Sequence, residues 1–253
     1  MAESTKTHWD TFWLEGSKDA APNKKIVQSI EALGDLAGWM VLEVGAGRGA
    51  DSVYLARKGA ESHVLDFSAK ALEMTEEFAR REGVNLHLIE SDAHRIPFSD
   101  SYFDLIFHQG FLEHFRDPAP LLLEQKRVLK KDGFLIVDVP QKYSIYTVKK
   151  KIAIKRGTWF AGWETEYGPR QLEKLLRECG FKVENTYAWG MAESYGWKTR
   201  NLMHTIIRNS RKIRTALLKE PSQAQTGRNY NNLSTSRPLL YLATNVGVIA
   251  RKT

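Results

Sequence analysis

The stretch VLEVGAGRGADSVYLA, Val41 to Ala56, carries an apolar strand into a Gly45-x-Gly47-x-Gly49 turn and on into a helix. Glycine tolerates a positive φ and leaves its amide open to a ligand that a Cβ would shield. Three alternating glycines between a strand and a helix therefore make a nucleotide cradle, because the helix N-terminus favours negative charge. Read with Ala50, the turn also fits Gly-x-Gly-x-x-Ala, the looser dinucleotide fingerprint, so the turn alone leaves the nucleotide open.

Downstream residues narrow the choice. A second strand, SHVLDFS, ends in Asp66, about twenty residues past the loop, where a carboxylate accepts from both hydroxyls of a ribose. A third, in NLHLIESDAHRIPF, ends in Asp92 and Ala93, and a fourth, YFDLIFHQG, ends in His108, Gln109 and Gly110. Ligands of open α/β sheets bind outside the carboxyl ends of the strands, and these successive ends carry polar residues. The alternation of strands and helices points to parallel pairing with helices on both faces.

The order of these motifs resembles the class I S-adenosylmethionine-dependent methyltransferases. The run SDAHRIPFSDSYFDLIFHQGFLEHF is especially similar to the methyltransferase type 11 group, which includes quinone-biosynthesis and many small-molecule methyltransferases. The resemblance spans Gly38 to Ala188. It implies a Rossmann-like, seven-stranded, mostly parallel sheet with an antiparallel last strand, and S-adenosylmethionine as cofactor with S-adenosylhomocysteine as product. It further implies that the Gly45, Ala46 and Gly47 backbone faces the methionyl carboxylate and ribose, with Glu43 supporting the loop and the methionyl amine. Asp66 would hold the ribose, Phe67 would lie against the adenine and Ser68 would follow beside them. Asp92 and the Ala93 amide would contact the adenine ring, and His108 with Gln109 would lie beside the methionyl portion.

For the reaction, His114 in FLEHF is the first candidate base, Glu113 is its neighbour, and Tyr143 and His94 are further candidates. A Glu-His pair at this position helps bind a divalent metal in some related enzymes. Two adjacent residues do not make a metal site, and no metal is expected.

The domain organisation reads as one methyltransferase domain over 1–253. Its parts are an N-terminal cap (1–37), a cofactor-binding core (38–140), an aromatic and basic lid insertion (141–168), a helix and sixth strand (169–189), a basic insertion (190–238) and a last strand (239–253). Pro22 to Leu33 reads as a helix, Pro169 opens another, FKVENTYAW is the sixth strand and LLYLATNVGVIA the last. His8, Trp9, Phe12 and Trp13 precede the core, and Tyr143, Tyr146, Trp159, Phe160, Trp163 and Tyr167 populate the lid, so two aromatic segments are expected to cover the cofactor.

Charge is uneven. The chain carries a net +7, yet six bases and no acid lie between Asp138 and Glu164, and seven bases and no acid between Glu193 and Glu220. Those thirteen exceed the total, which leaves the rest of the chain at about −6, so the basicity belongs to the insertions and would attract an anionic partner. Leu202, Ile206, Ile213 and Leu217 recur at near-helical spacing among arginines, the pattern of a basic amphipathic helix at an anionic membrane surface. The expected acceptor is a small or lipid-like molecule, with an anionic one favoured by this field. From one cysteine, no apolar leader and no spanning run the expected address is a reducing cytoplasm, and the amphipathic segment is expected to dock on an anionic membrane surface, to cap a lipid-like substrate, or to pack on the domain or a second subunit.

Two other classes remain open at this point. Tyr146 and Lys150 have the Tyr-x-x-x-Lys spacing of short-chain dehydrogenases, but the Thr-Gly-x-x-x-Gly-x-Gly start is missing. The basic insertions suit an RNA methyltransferase, but no RNA-binding domain or Asn-Pro-Pro-Tyr-type motif accompanies them.

Overall fold

The structure is a computed structural model that describes residues 5–15, 21–190, 240–241 and 243–253. The amphipathic segment from Leu202 to Leu217 and the basic run between Glu193 and Glu220 lie outside the described residues.

Seven strands form one sheet in the order β3-β2-β1-β4-β5-β7-β6. They are β1 (Met40–Val44), β2 (Glu61–Asp66), β3 (His87–Glu90), β4 (Phe103–Gln109), β5 (Leu129–Pro140), β6 (Phe181–Trp189) and β7 (Asn245–Lys252). The pairs from β3 through β5 are parallel, and β7 runs antiparallel to both β5 and β6. The seven-stranded, mostly parallel sheet with an antiparallel last strand is therefore present as expected.

Strand parity builds the two cores. Successive side chains leave a strand on opposite faces. Val41, Leu105 and Phe107 accordingly pack with Ile26 and Ile30 of α2 (Lys24–Glu31) and Leu55 of α3 (Ala50–Arg57). Leu42, Val44 and Ile106 pack on the other side with Leu121 and Leu122 of α5 (Ala119–Val128) and Leu172 and Leu176 of α7 (Pro169–Glu178). Helix α4 (Ala69–Arg81) follows β2, and its Ser68 cap accepts from the Ala71 amide. Asn23 caps α2 through the Lys25 and Ile26 amides, so that helix begins two residues later than Pro22.

The last strand also starts later than the sequence suggests. Strand pairing begins at Asn245, opposite Pro140 and Trp189. Leu240 is buried ahead of it, and its carbonyl accepts from Gln141 Nε2. Leu240 and Ala243 thus serve packing at the sheet end rather than ladder formation.

Candidate functional site

The glycine turn opens on a cavity of about 850 Å³, lined among others by Trp13, Asn23, Glu43, Gly45, Asp51 and Gln109. That size suits a small-molecule or cofactor site. Gly45 and Gly47 have φ +66° and +56°. A Cβ on Gly45 would come within 2.4 Å of Phe111, and one on Gly47 within 2.5 Å of Trp13, so both positions exclude a side chain on steric and backbone grounds.

Beneath the turn, Glu43 is buried and its Oε2 accepts from the Ser52 amide (3.1 Å) and hydroxyl (2.6 Å). This bond fixes the first turn of α3 against β1. Burial, reinforced by Asp51 and Asp66, pushes the Glu43 carboxyl well above its ordinary range. Asp51 is pushed up to about 6 by burial, while its Oδ1 accepts from the Asn23 amide (2.6 Å). Asn23 in turn donates through Nδ2 to Gln109 Oε1 (2.8 Å), which ties the α2 cap to the end of β4. Three carboxylates clustered behind a helix N-terminus suit a ligand group that is cationic or donates hydrogen bonds.

The other half of the turn faces Asp66. Its Oδ2 accepts from the Gly47 amide (3.4 Å) and its Oδ1 from the Ser68 amide (2.9 Å), so the carboxylate is aimed by two backbone donors. Helix α1 (Lys6–Glu15) runs across these strand ends. Lys6 pairs with Glu90 at the end of β3, Asp10 accepts from the Ser68 hydroxyl, and the Trp13 indole covers Gly47 with Arg48 above it. Trp13 lines the cavity, whereas Asp66, Phe67, Ser68, Asp92 and Ala93 do not.

Of the residues singled out from sequence, Glu43, Gly45, Ala46 and Gln109 share the cavity. Gly47 joins them to Asp66 through its amide. Asp92 is exposed, and its Oδ1 accepts from the amide (2.9 Å) and Nδ1 (2.8 Å) of His94. Ala93 is buried in the core beside Ile96. Gln109 lines the cavity and His108 does not, since the two are adjacent on a strand and face opposite ways. His108 is fully buried edge-on against Phe111, and burial lowers its imidazole to about 4. Trp13, Asn23, Lys25 and Asp51 line the cavity without having been singled out as ligands. The position of Asp51 in the first helical turn after the glycines was the available signal.

The aromatic segments do meet. Phe12 stacks on Phe160 (5.3 Å between centroids), Trp9 meets His114 edge-on (4.9 Å), and Trp159 lies between Phe160 and Tyr146. Beneath this roof two of the lid's six bases are paired with acids. Lys150, on α6 (Ile145–Lys155), is only 4% exposed and pairs with Glu164 (3.2 Å) and Glu166 (3.6 Å), and Lys151 pairs with Glu166 as well (3.2 Å). Tyr146 donates to Glu164 (3.3 Å), so the Tyr-x-x-x-Lys spacing serves an internal ionic cluster.

Glu113 and His114 sit in the short 3₁₀ turn after β4, against this cluster. Burial, with Glu164 and Asp138 nearby, raises Glu113 to about 8. Burial lowers His114 to about 4, with Nδ1 3.4 Å from the Trp163 carbonyl. Tyr143 is 61% exposed and leans on Tyr241. Among the described residues no group of three or more His, Cys, Asp or Glu is arranged to hold a metal, and no helix is long and apolar enough to cross a membrane.

Residues 42–137, from β1 through most of β5, match the model of the methyltransferase domain family. These residues are a class I methyltransferase domain. The methyltransferase domain is 33% identical over 108 residues to demethylmenaquinone methyltransferase of Renibacterium salmoninarum, covering 43% of this chain and 44% of that protein. It is 36% identical over 152 residues to sarcosine/dimethylglycine N-methyltransferase of Halorhodospira halochloris, covering 56% and 51%. The chain spans about half the length of the curated relatives it matches. In fold it resembles magnesium protoporphyrin IX methyltransferase of Synechocystis PCC 6803 with bound S-adenosylhomocysteine, with a TM-score of 0.60 at 15% identity over 98% of this chain and 93% of that one.

Proposed function

We propose that this protein transfers a methyl group from S-adenosylmethionine to a small-molecule acceptor. The observation that carries the reading is the Gly45–Gly47 turn, whose two glycines stand at positive φ without a Cβ, with Gly45 on the cavity and the Gly47 amide on the Asp66 carboxylate. These residues fit the cofactor. Asp66 would accept from the ribose hydroxyls, and Glu43, Asp51 and Gln109 would surround the methionyl end. When bound, the cofactor supplies a methyl group already activated on a sulfonium.

The chain's own contribution is placement. Orienting an acceptor against an activated donor is worth about 7 to 11 kcal/mol of barrier. Helix α1 and the lid supply that placement and exclude water, with Trp13 over the turn and Phe12 on Phe160. The matched relatives include methyltransferases named for a quinone and for sarcosine and dimethylglycine, which supports a small organic acceptor. An anionic or lipid-like acceptor, and peripheral contact with an anionic membrane, rest on the basic run between Glu193 and Glu220.

The test is S-adenosylhomocysteine release on mixing the protein and S-adenosylmethionine with phenols, amines and anionic lipids. Release with one acceptor class, abolished by Asp66→Ala, is the expected result. No release with any class, together with tight binding of NADPH, would replace methyl transfer by hydride chemistry.

A further inference from the structure

Helix α6 is built inside out. Its buried side chains are Thr147 and Lys150, and Lys150 is held there by Glu164 and Glu166. Its aliphatic residues Ile145, Val148 and Ile152 recur at the i, i+3, i+7 spacing that ordinarily turns a helix stripe towards the core. Here Ile145 is only half-buried, while Val148 and Ile152 are 57% and 45% exposed. One exposed aliphatic needs no explanation, but a stripe of them on a helix that buries its lysine marks an interaction face.

Charge borders the stripe on both sides. At about 100° per residue, Lys151 and Lys155 fall on one flank of Val148 and Ile152, and Lys149 and Arg156 on the other. All four are exposed, and α6 carries no acid. Lys151 reaches Glu166, whereas Lys149, Lys155 and Arg156 have no acidic partner among the described residues.

These borders select the partner. A second copy of this chain meeting the first about a two-fold axis would set α6 against α6 and bring cations onto cations. A nucleic acid would take up the cations and leave Val148 and Ile152 in water. An anionic lipid surface uses both, with the bases among the headgroups and the aliphatic side chains at the boundary with the acyl chains. We propose that the outward face of α6, Val148 and Ile152 with Lys149, Lys155 and Arg156, docks this protein on an anionic phospholipid bilayer. Beyond α6 the chain runs to Phe160, which stacks on Phe12 of α1, so docking holds the lipid surface close to the cover of the glycine turn. This face is separate from the basic run between Glu193 and Glu220, and its docking does not depend on the methyl-transfer reading.

The test is flotation of the full chain with vesicles of phosphatidylcholine alone and of phosphatidylcholine with phosphatidylglycerol, at low and high salt. The protein rises with the phosphatidylglycerol vesicles at low salt, is released at high salt and ignores phosphatidylcholine. Lys149→Gln with Lys155→Gln and Arg156→Gln lowers the bound-to-free ratio about tenfold or more. Val148→Ser with Ile152→Ser lowers it about threefold or more and leaves the melting temperature unchanged, because the stripe is exposed. No retention on phosphatidylglycerol, equal retention on phosphatidylcholine, or retention unchanged in either variant would overturn the assignment. So would a fall in melting temperature in Val148→Ser with Ile152→Ser, which would mean that the stripe is covered within the chain, or a dimer in sedimentation that the same variant dissolves. S-adenosylhomocysteine binding measured on the same preparations reports on the methyl-transfer reading separately.

Discussion

Phe12 and Phe160 stack with their planes 6° apart and centroids 5.3 Å apart, joining the helix that crosses the glycine turn to the lid that follows β5. An aromatic pair of this kind is worth about 0.5 to 1.5 kcal/mol beyond the area it buries. Phe12→Ala should therefore loosen the cover without unfolding the domain. The expected outcome is faster release of S-adenosylhomocysteine in stopped-flow fluorescence, with the melting temperature changed by only a few degrees. An unchanged release rate would mean that α1 is a fastening and not a cover.

Gly47 carries two constraints at once, φ +56° and the Trp13 indole 2.5 Å from where a Cβ would stand. Gly47→Ala forces either the turn or Trp13 to move, at a cost of about 1 to 3 kcal/mol. A shift in tryptophan emission and a loss of cofactor affinity of tenfold or more should appear together. Affinity kept at the wild-type level would show that the cofactor does not use this amide.

The Lys150–Glu164 pair is buried on both sides, at 4% exposure each. Removing one member of such a pair costs about 3 to 5 kcal/mol, whereas replacing both by neutral groups of similar volume is often tolerated. Lys150→Met should lower the chemical-denaturation midpoint strongly, and Lys150→Met with Glu164→Gln should recover most of the loss. Equal destabilisation in the single and double variants would contradict an ionic origin.

Stability should fall as pH rises from about 6.5 to 8. Asp138 is pushed up to about 7 by burial, despite bonds from Trp189 and Asn245, and Glu113 is raised to about 8. A raised folded-state value means that the neutral carboxyl is favoured in the fold, so its stabilisation is complete below the unfolded value and disappears as pH passes the folded one. His108 and His114, lowered to about 4 by burial, act oppositely and lose their contribution as pH falls from about 6.5 towards 4. The two trends oppose each other below pH 6.5, where Glu43 and Asp51 add to the carboxylate side, and the carboxylates act alone above it. Thermal melts of Asp138→Asn should be flatter than wild type between pH 6.5 and 8, and a parallel decline would sink this assignment.

The motif between Val41 and Ala56, the acid at Asp66 and the sixth strand at 181–189 were legible because each depends on local sequence. Glycine spacing and period-two hydrophobicity need no knowledge of the tertiary partner. The burial of His108 was legible in principle: it shares a strand face with Ile106 and the α5 core, while Gln109 shares one with Phe107 and α2. The neutralisation of Lys150 was not, since Glu164 and Glu166 reach it only when the chain folds back from beyond the lid helix. A charge count along the chain stops at Glu164 and so counts Lys150 and Lys151 as free when they are paired in space. The position of α1 was equally hidden, because Lys6, Asp10 and Trp13 find their partners at Glu90, Ser68 and Gly47, at the ends of three different strands.

The central claim is that the Gly45–Gly47 turn and Asp66 bind S-adenosylmethionine, and calorimetric titration with S-adenosylhomocysteine tests it most directly. Charge-assisted hydrogen bonds from a ribose to Asp66 are worth about 1.5 to 3 kcal/mol, equivalent to about tenfold to a hundredfold in affinity. The account predicts micromolar binding by the intact protein, weakened by that factor in Asp66→Ala. No binding by the intact protein, or equal affinity in the two proteins, would contradict it.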